Sequence, residues 1–442
     1  MATGGVAKRR SCGAALARLA GEAQEALKKP NDGIWSKPVC DDDLMNWESL
    51  VLGPALSPYA FGFFTFRIQF PEEYPSCAPH VTFLTTGGGK TRFNPNLYAD
   101  GKVCLSILGT WRGESGEQWS SVQNCQSLMV SIQSLMDDMP YHNEPGFEKE
   151  SWEHTSRSRG GSVTTAAKLA EVTAKYNLKI THETLRIAVC DVLEDILKVD
   201  PERIHKFSDI VKWHFLLYFD RYIEIVRANA DVTGPFETTE FEYARNSMVG
   251  TFDFRSLEER LLKIKELLME ELALWISKGE LATTKGVHSY DCQQIQMALQ
   301  RMERAEMAGI SASPQASNLF VWDVTIIGGL DGSWWENGIY TLRLYFPPDF
   351  PDVHPRPKFE TKMFHPNISI DGFPFLSLSI ADSRTAHQVI QDLHALLRNP
   401  PNPDPRTWVN REAGELYFNQ GEKGREEYAR RVRRCAARSM ED

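Results

Sequence analysis

The chain repeats itself. Tyr340–Pro351 (YTLRLYFPPDFP) echoes Phe64–Pro75 (FTFRIQFPEEYP) at an offset of 276 residues, and Phe364-His365-Pro366-Asn367 matches Phe93-Asn94-Pro95-Asn96 at an offset of 271. The first copy carries the five extra residues around Gly87-Gly88-Gly89. A repeat of this period, in a chain of 442 residues, predicts two related domains.

Within the first copy, Ser11–Lys29 places Leu16, Leu19, Ala20, Ala23 and Leu27 at amphipathic-helix spacing, with Ser11 as a cap and Pro30-Asn31-Asp32-Gly33 as a stop. Trp47–Leu52, Phe61–Phe70 and Val81–Thr85 read as strands separated by Gly53-Pro54, Ser57-Pro58 and Pro71–Pro79. A helix followed by an antiparallel meander is an α+β layout. Trp111–Trp119 reads as a surface loop, and Ser127–Met136 as a central buried helix, apolar on all sides. From Lys168 to Ile276 helical periodicity dominates, and Cys190, beside Ile187, Ala188 and Val189, reads as core. Lys278-Gly279 and Thr283-Thr284-Lys285-Gly286 are linker-like in composition. The expected organisation is a core at 1–160, a helical extension at 161–276, a linker at 277–289 and a second domain at 290–442.

Chemistry concentrates in Phe93–Leu108. Asn96 lies eight residues before Cys104, with Pro95 stiffening the backbone and Asp100-Gly101 supplying a tight turn. A thiol that holds an acyl group needs an exposed sulfur and a nearby donor for the tetrahedral oxygen. A lone cysteine is more often a small buried apolar residue. The flanks favour the chemical reading: Asn-Pro-Asn followed by Cys-Leu-Ser-Ile-Leu and Gly109-Thr110-Trp111 resembles the active-site signature of ubiquitin-conjugating enzymes. Asn94 stands where the common form has histidine.

That resemblance implies two ubiquitin-conjugating folds, each a four-stranded antiparallel meander packed with helices, the first extended by a helical segment. It implies Cys104 as the thioester nucleophile and Asn96 as oxyanion donor or loop support. Glu144 is matched by the neighbouring Pro145 as the acidic residue that orients the incoming lysine, with His142 as the alternate. Lys8, Arg9, Arg10 and Arg18 would face the activating enzyme, or form a solvated helix face. Ser76 occupies a position where members that work with common ligases often carry phenylalanine. The implied partners are ubiquitin or a ubiquitin-like modifier, an activating enzyme, a ligase and a protein substrate. Tyr176-Asn177, His182–Asp191 and Phe252-Asp253-Phe254 extend the likeness, over about 14–275, to a large member charged only by the divergent second activating enzyme. In the second copy the alignment puts Phe375 on Cys104. That copy should be silent, and a docking or regulatory role is the leading expectation for it.

Composition excludes other classes. A net charge of -10 argues against generic nucleic-acid binding, and no eighteen-residue apolar run predicts a membrane span. Met1–Arg10 lacks the apolar region of a secretion signal. The eight cysteines form no Cys-x-x-Cys pair, so neither a structural metal nor a disulfide framework is expected, and the compartment is reducing. No cofactor is needed, since ATP is consumed by the activating partner. Lys8-Arg9-Arg10 admits a nuclear as well as a cytoplasmic location. The rival readings are a cysteine hydrolase using Cys104 with His142, and a non-catalytic adaptor of the ubiquitin pathway.

Overall fold

The computed structural model describes residues 4–28, 33–40, 42–111, 116–147, 164–198, 206–239, 242, 248–285, 290–305, 307–328, 334–377 and 385–441. Two compact units share the chain. The first is built mainly from Met1–Phe207 and Val226–Glu259, the second from Ser208–Ile225, Arg260–Ser377 and Ala381–Asp442.

In the first unit, α1 (Gly4–Lys28) precedes β1 (Ile34–Cys40), β2 (Asp43–Leu52), β3 (Phe63–Gln69) and β4 (His80–Phe83), an antiparallel sheet in sequential order. Helix α1 starts before Ser11, so the expected cap lies inside it. Ala15 and Leu19, four apart, face the core, as do Phe64, Phe66 and Ile68, while Arg67 and Gln69 on alternate positions are exposed. Strand β1 was not foreseen: Pro38 and Lys37 break its apolar pattern, and the ladder shifts register at Pro38, which an edge strand tolerates. Helix α2 (Cys125–Ser134) is capped reciprocally by Asn124 and Ser127. It buries Cys125, Leu128, Met129 and Ile132 but leaves Val130 exposed, so one face rather than the whole helix is core.

The extension begins with α3 (Thr164–Glu183), which continues through a wider turn at Thr184–Asp191 into Val192–Leu197. Cys190 is fully buried there, as expected. The glycine insert of the first copy receives this helix: a Cβ on Gly87 would stand 2.5 Å from Cδ1 of Ile187. Beside it, the buried Glu183 accepts hydrogen bonds from Thr91 Oγ1 (2.9 Å), Arg186 Nε (2.8 Å) and His182 Nδ1 (3.2 Å). His182 Nε2 accepts from the Asp253 amide at 3.1 Å, which fixes the proton on Nδ1. Burial pushes the Glu183 carboxyl up, but Arg186, His182 and Thr91 overcome this and bring it to about 2. The stability this contributes is therefore present above the ordinary carboxylate range and lost as pH falls toward 2. Glu183→Gln is expected to cost roughly 2–4 kcal/mol at neutral pH, because the buried cluster loses its charge and Arg186 its closer carboxylate, keeping Asp191 at 3.7 Å. Urea unfolding at neutral pH reads the loss; an unchanged midpoint would count against the clasp.

Helix α4 (Ser208–Ala228) follows, then a hairpin of β5 (Thr233–Pro235) and β6 (Thr251–Asp253), and the long α5 (Phe254–Lys285). The boundaries expected from sequence are corrected here. Residues 208–225 and 260–276 pack in the second unit, not the first. Residues 277–285 are helix, not linker, and 286–289 lie outside the described residues. Gly279 and Thr283 have packing roles: a Cβ at Gly279 would stand 2.6 Å from Asn318 Oδ1, and Thr283 Oγ1 accepts from the Leu319 amide at 3.0 Å.

The second unit repeats the plan with α6 (Tyr290–Arg304), β7 (Ile310–Gln315), β8 (Asn318–Ile327), β9 (Ile339–Tyr345) and β10 (Arg356–Phe359), again sequential and antiparallel. It closes with α7 (Ala386–Arg398) and α8 (Gly421–Arg438). Fine details recur: Trp47 Nε1 donates to the Leu44 carbonyl at 2.8 Å, and Trp322 Nε1 to that of Leu319 at 2.9 Å. Each copy has its own core, around Phe66 and Trp47 in one and around Trp322 and Leu344 in the other. Among the described residues no helix is long and apolar enough to cross a membrane, and no cluster of metal-ligating side chains occurs.

Candidate active site

The loop from Phe93 to Gly109 is irregular but heavily braced. Gly101 adopts a φ of 91°, and its carbonyl accepts from the Phe83 amide at 2.8 Å, tying the Asp100-Gly101 turn to β4. A Cβ there would meet the Phe83 carbonyl oxygen at 2.9 Å, so glycine is required twice over. Thr110 Oγ1 accepts from the Leu105 amide (2.9 Å) and donates to the Val103 carbonyl (2.8 Å), gripping the chain on both sides of Cys104.

Asn96 and Cys104 are brought together as the spacing predicted. The Cys104 amide donates to the Asn96 carbonyl at 2.9 Å, and Asn96 Nδ2 donates to the Cys104 carbonyl at 2.8 Å. In this conformation the carboxamide braces the loop. Asn94, fully buried, explains why histidine is dispensable: its Oδ1 accepts from the Asn96 amide at 2.9 Å, as His365 Nδ1 accepts from the Asn367 amide at 2.9 Å in the second copy. Asn94 Nδ2 also donates to the Leu135 carbonyl (2.7 Å) and to the Tyr59 hydroxyl (3.0 Å). Burial lowers His365 to about 3, so it is a neutral acceptor, which an asparagine oxygen can replace.

The expectation of an exposed sulfur is corrected: Cys104 is only 4 % exposed. The Tyr98 hydroxyl lies against the thiol, and the Tyr98 ring stacks on the Arg92 guanidinium at 4.2 Å. Arg92, itself 5 % exposed, donates to the Pro95 carbonyl at 2.5 Å and pairs with Glu144 Oε2 at 3.0 Å. Burial raises the Tyr98 phenol, against Arg92 and reinforced by Cys104 and Glu144, so it stays protonated. Burial likewise raises Glu144, with Arg92 opposing. Glu144 therefore reaches the thiol's surroundings through Arg92 and Tyr98. The hydrogen bond His142 makes is with its own loop: Nδ1 bonds the Phe147 carbonyl at 2.8 Å, which puts the proton on Nδ1 and leaves the lone pair on Nε2.

Arg92 and Tyr98 were not singled out from sequence. The available signals were a lone arginine entering an apolar segment and a tyrosine two positions after Asn96. Of the residues expected to meet partners, Arg18 is part-exposed and tied down, its Nε on Glu22 Oε1 at 2.6 Å and its NH2 on the Gln123 carbonyl at 3.1 Å. The side chains of Lys8, Arg9 and Arg10 lie outside the described residues. Ser76 is exposed beside the exposed Cys77, leaving this edge polar.

Phe375 takes the place of Cys104, its amide donating to the Asn367 carbonyl at 2.7 Å. The Asn367 carboxamide is committed elsewhere, Nδ2 to the Thr407 carbonyl (2.8 Å) and Oδ1 to the Asn402 amide (3.2 Å). The second copy has thus lost both the sulfur and the position of the amide.

A braced Asn–Cys loop on a four-stranded meander, present once intact and once without sulfur, defines the class. The profile of the ubiquitin-conjugating enzymes matches residues 18–168 and again 294–436, and the chain belongs to that family of transferases. Ubiquitin-conjugating enzyme E2 Z of Danio rerio is 37 % identical over 256 residues, covering 58 % of this chain and 69 % of the relative. The Homo sapiens E2 Z is 37 % identical over 257 residues, covering 58 % of this chain and 64 % of its own. The dual E2 ubiquitin-conjugating enzyme/E3 ubiquitin-protein ligase BIRC6 of Homo sapiens is 40 % identical over 181 residues, which are 40 % of this chain and 3 % of that protein.

Proposed function

We propose that Cys104 accepts ubiquitin, or a ubiquitin-like modifier, as a thioester and passes it to a substrate lysine. The Cys104 thiolate attacks the carbonyl that joins the modifier to the activating enzyme. A new carbon–sulfur bond forms, and the activating enzyme leaves as its own thiolate. A lysine amine then attacks the Cys104 thioester; a carbon–nitrogen bond forms, the amine gives up a proton and the Cys104 thiolate departs. The observation that carries this reading is the reciprocal Asn96–Cys104 bracing at 2.9 and 2.8 Å, which holds a thiol and an amide donor on one stiff loop. Cys104 is 4 % exposed, so the loop around it has to open before an acyl group is received. The resemblance over about 14–275 to a large member charged only by the divergent activating enzyme supports that enzyme as the donor. The second fold, without a nucleophile, serves a docking or regulatory role.

The test is charging of the pure chain with ATP and each of the two activating enzymes in parallel, on non-reducing gels. A reductant-sensitive adduct with the divergent enzyme and not the common one is expected. An adduct with neither leaves the adaptor reading standing in its place.

A further inference from the structure

The substitutions that separate the second copy from the first are not scattered. At the repeat offsets Lys102, Cys104 and Gln69 become Phe373, Phe375 and Tyr345; Asn46, paired with Gln69 across β2 and β3, corresponds in the ladder to Val321, paired with Tyr345 across β8 and β9. Ala78 and His80 become His354 and Arg356. Polar or small positions of the transfer loop and sheet have been replaced by aromatic, apolar and cationic ones.

Within the second unit each of these meets a helix of the extension. Trp213 of α4, 1 % exposed, packs edge-on against Phe373 at 5.8 Å, and the His214 ring against Phe375 at 6.3 Å. The Asp209 carboxylate, one residue into α4, accepts from His354 Nδ1 at 2.8 Å and from Arg356, whose guanidinium also covers the Trp213 ring at 5.1 Å. Tyr218 donates to the Arg406 carbonyl at 2.7 Å. Helix α5 adds Lys265 on Asp371 at 2.5 Å and buries Leu272 with Val321 and Tyr345.

We propose that the abandoned transfer site of the second fold is an intramolecular receptor for residues 208–225: Phe373 and Phe375 form its apolar floor, Arg356 and His354 its anchor for Asp209. The phenylalanine in place of the sulfur is one member of a set of replacements that make this loop and sheet a helix-binding surface. The site is occupied by the chain itself and closed to a modifier's tail. This gives the docking role proposed above a definite occupant. It rests on no property of Cys104, and hydrogen exchange is blind to charging, so failure of this inference and failure of the transfer reading are separately visible.

The experiment is hydrogen–deuterium exchange on the full chain. Restoring the first copy's residues, Phe373→Lys with Phe375→Cys, is expected to speed exchange of the 208–225 amides about tenfold or more, while β8 and β9 keep wild-type protection. Unchanged protection of 208–225 would overturn the proposal. Should β8 and β9 lose protection too, the pair is tested from the helix side. Asp209→Arg and Arg356→Asp should each loosen 208–225, and the combined charge swap should recover much of the protection. A double variant no better than either single one refutes the anchor.

Discussion

Cys104→Ala is expected to abolish adduct formation, and Cys104→Ser to replace the reductant-sensitive adduct with a stable one that hydroxylamine cleaves. The serine oxygen can accept the acyl group but is a far poorer nucleophile and leaving group than a thiolate, so the oxyester accumulates slowly and resists transfer. The other cysteines provide an internal control: Cys40 and Cys77 are exposed yet lack a braced carboxamide, whereas Cys104 is buried and has one. An adduct that persists in Cys104→Ala would move the chemistry to another thiol. Phe375→Cys alone should remain uncharged, because Asn367 is turned onto Thr407 and Asn402 and the helix 208–225 lies over the loop. Robust charging of that variant would mean that only sulfur had been lost.

What could be read in the sequence was whatever depends on local pattern. The alternation of Phe64, Phe66 and Ile68 with Arg67 and Gln69 announces a half-buried strand, and the repeat at 276 carries that reading to β9. The eight-residue interval from Asn96 to Cys104 is itself local, being set by one turn at Gly101. What escaped depends on what a segment packs against. Gly279 and two threonines look like linker until Asn318 and Phe320 are seen to approach Gly279 too closely for a side chain. Strand β1 escaped because an edge strand tolerates the proline that breaks its pattern. The exposure of Cys104 was misjudged for the same reason: a stiff loop was legible, but the Tyr98 hydroxyl over the thiol and the arginine behind it are tertiary facts. The division of the extension was illegible too, since helical periodicity says which face of α4 is apolar but not which copy of the fold receives it.

Arg92→Ala is expected to separate the two halves of the reaction. Arg92 touches no acyl group; it positions Tyr98 by stacking, Glu144 by an ion pair and Pro95 by a hydrogen bond to its carbonyl. Receiving the modifier needs chiefly the sulfur and its loop, whereas passing it on needs a carboxylate that is ionised and correctly aimed at the lysine. Glu144, already raised by burial, loses the cation that holds it down, and Tyr98 and Tyr176, the other titratable groups that sense it among the described residues, carry no positive charge to replace it. Single-turnover discharge to free lysine should therefore fall about tenfold or more, equivalent to ~1.4 kcal/mol of lost transition-state stabilisation, with loading reduced less. The sign of the pH effect follows: a higher Glu144 pKa moves the acidic limb of the discharge profile to higher pH. Arg92→Lys keeps the charge but not the planar stack or the fork, so it should discharge at an intermediate rate with the acidic limb near its wild-type position. Should loading and discharge fall together with no movement of that limb, Arg92 would hold the loop's shape and nothing more, and Glu144 would lose its claim to the lysine.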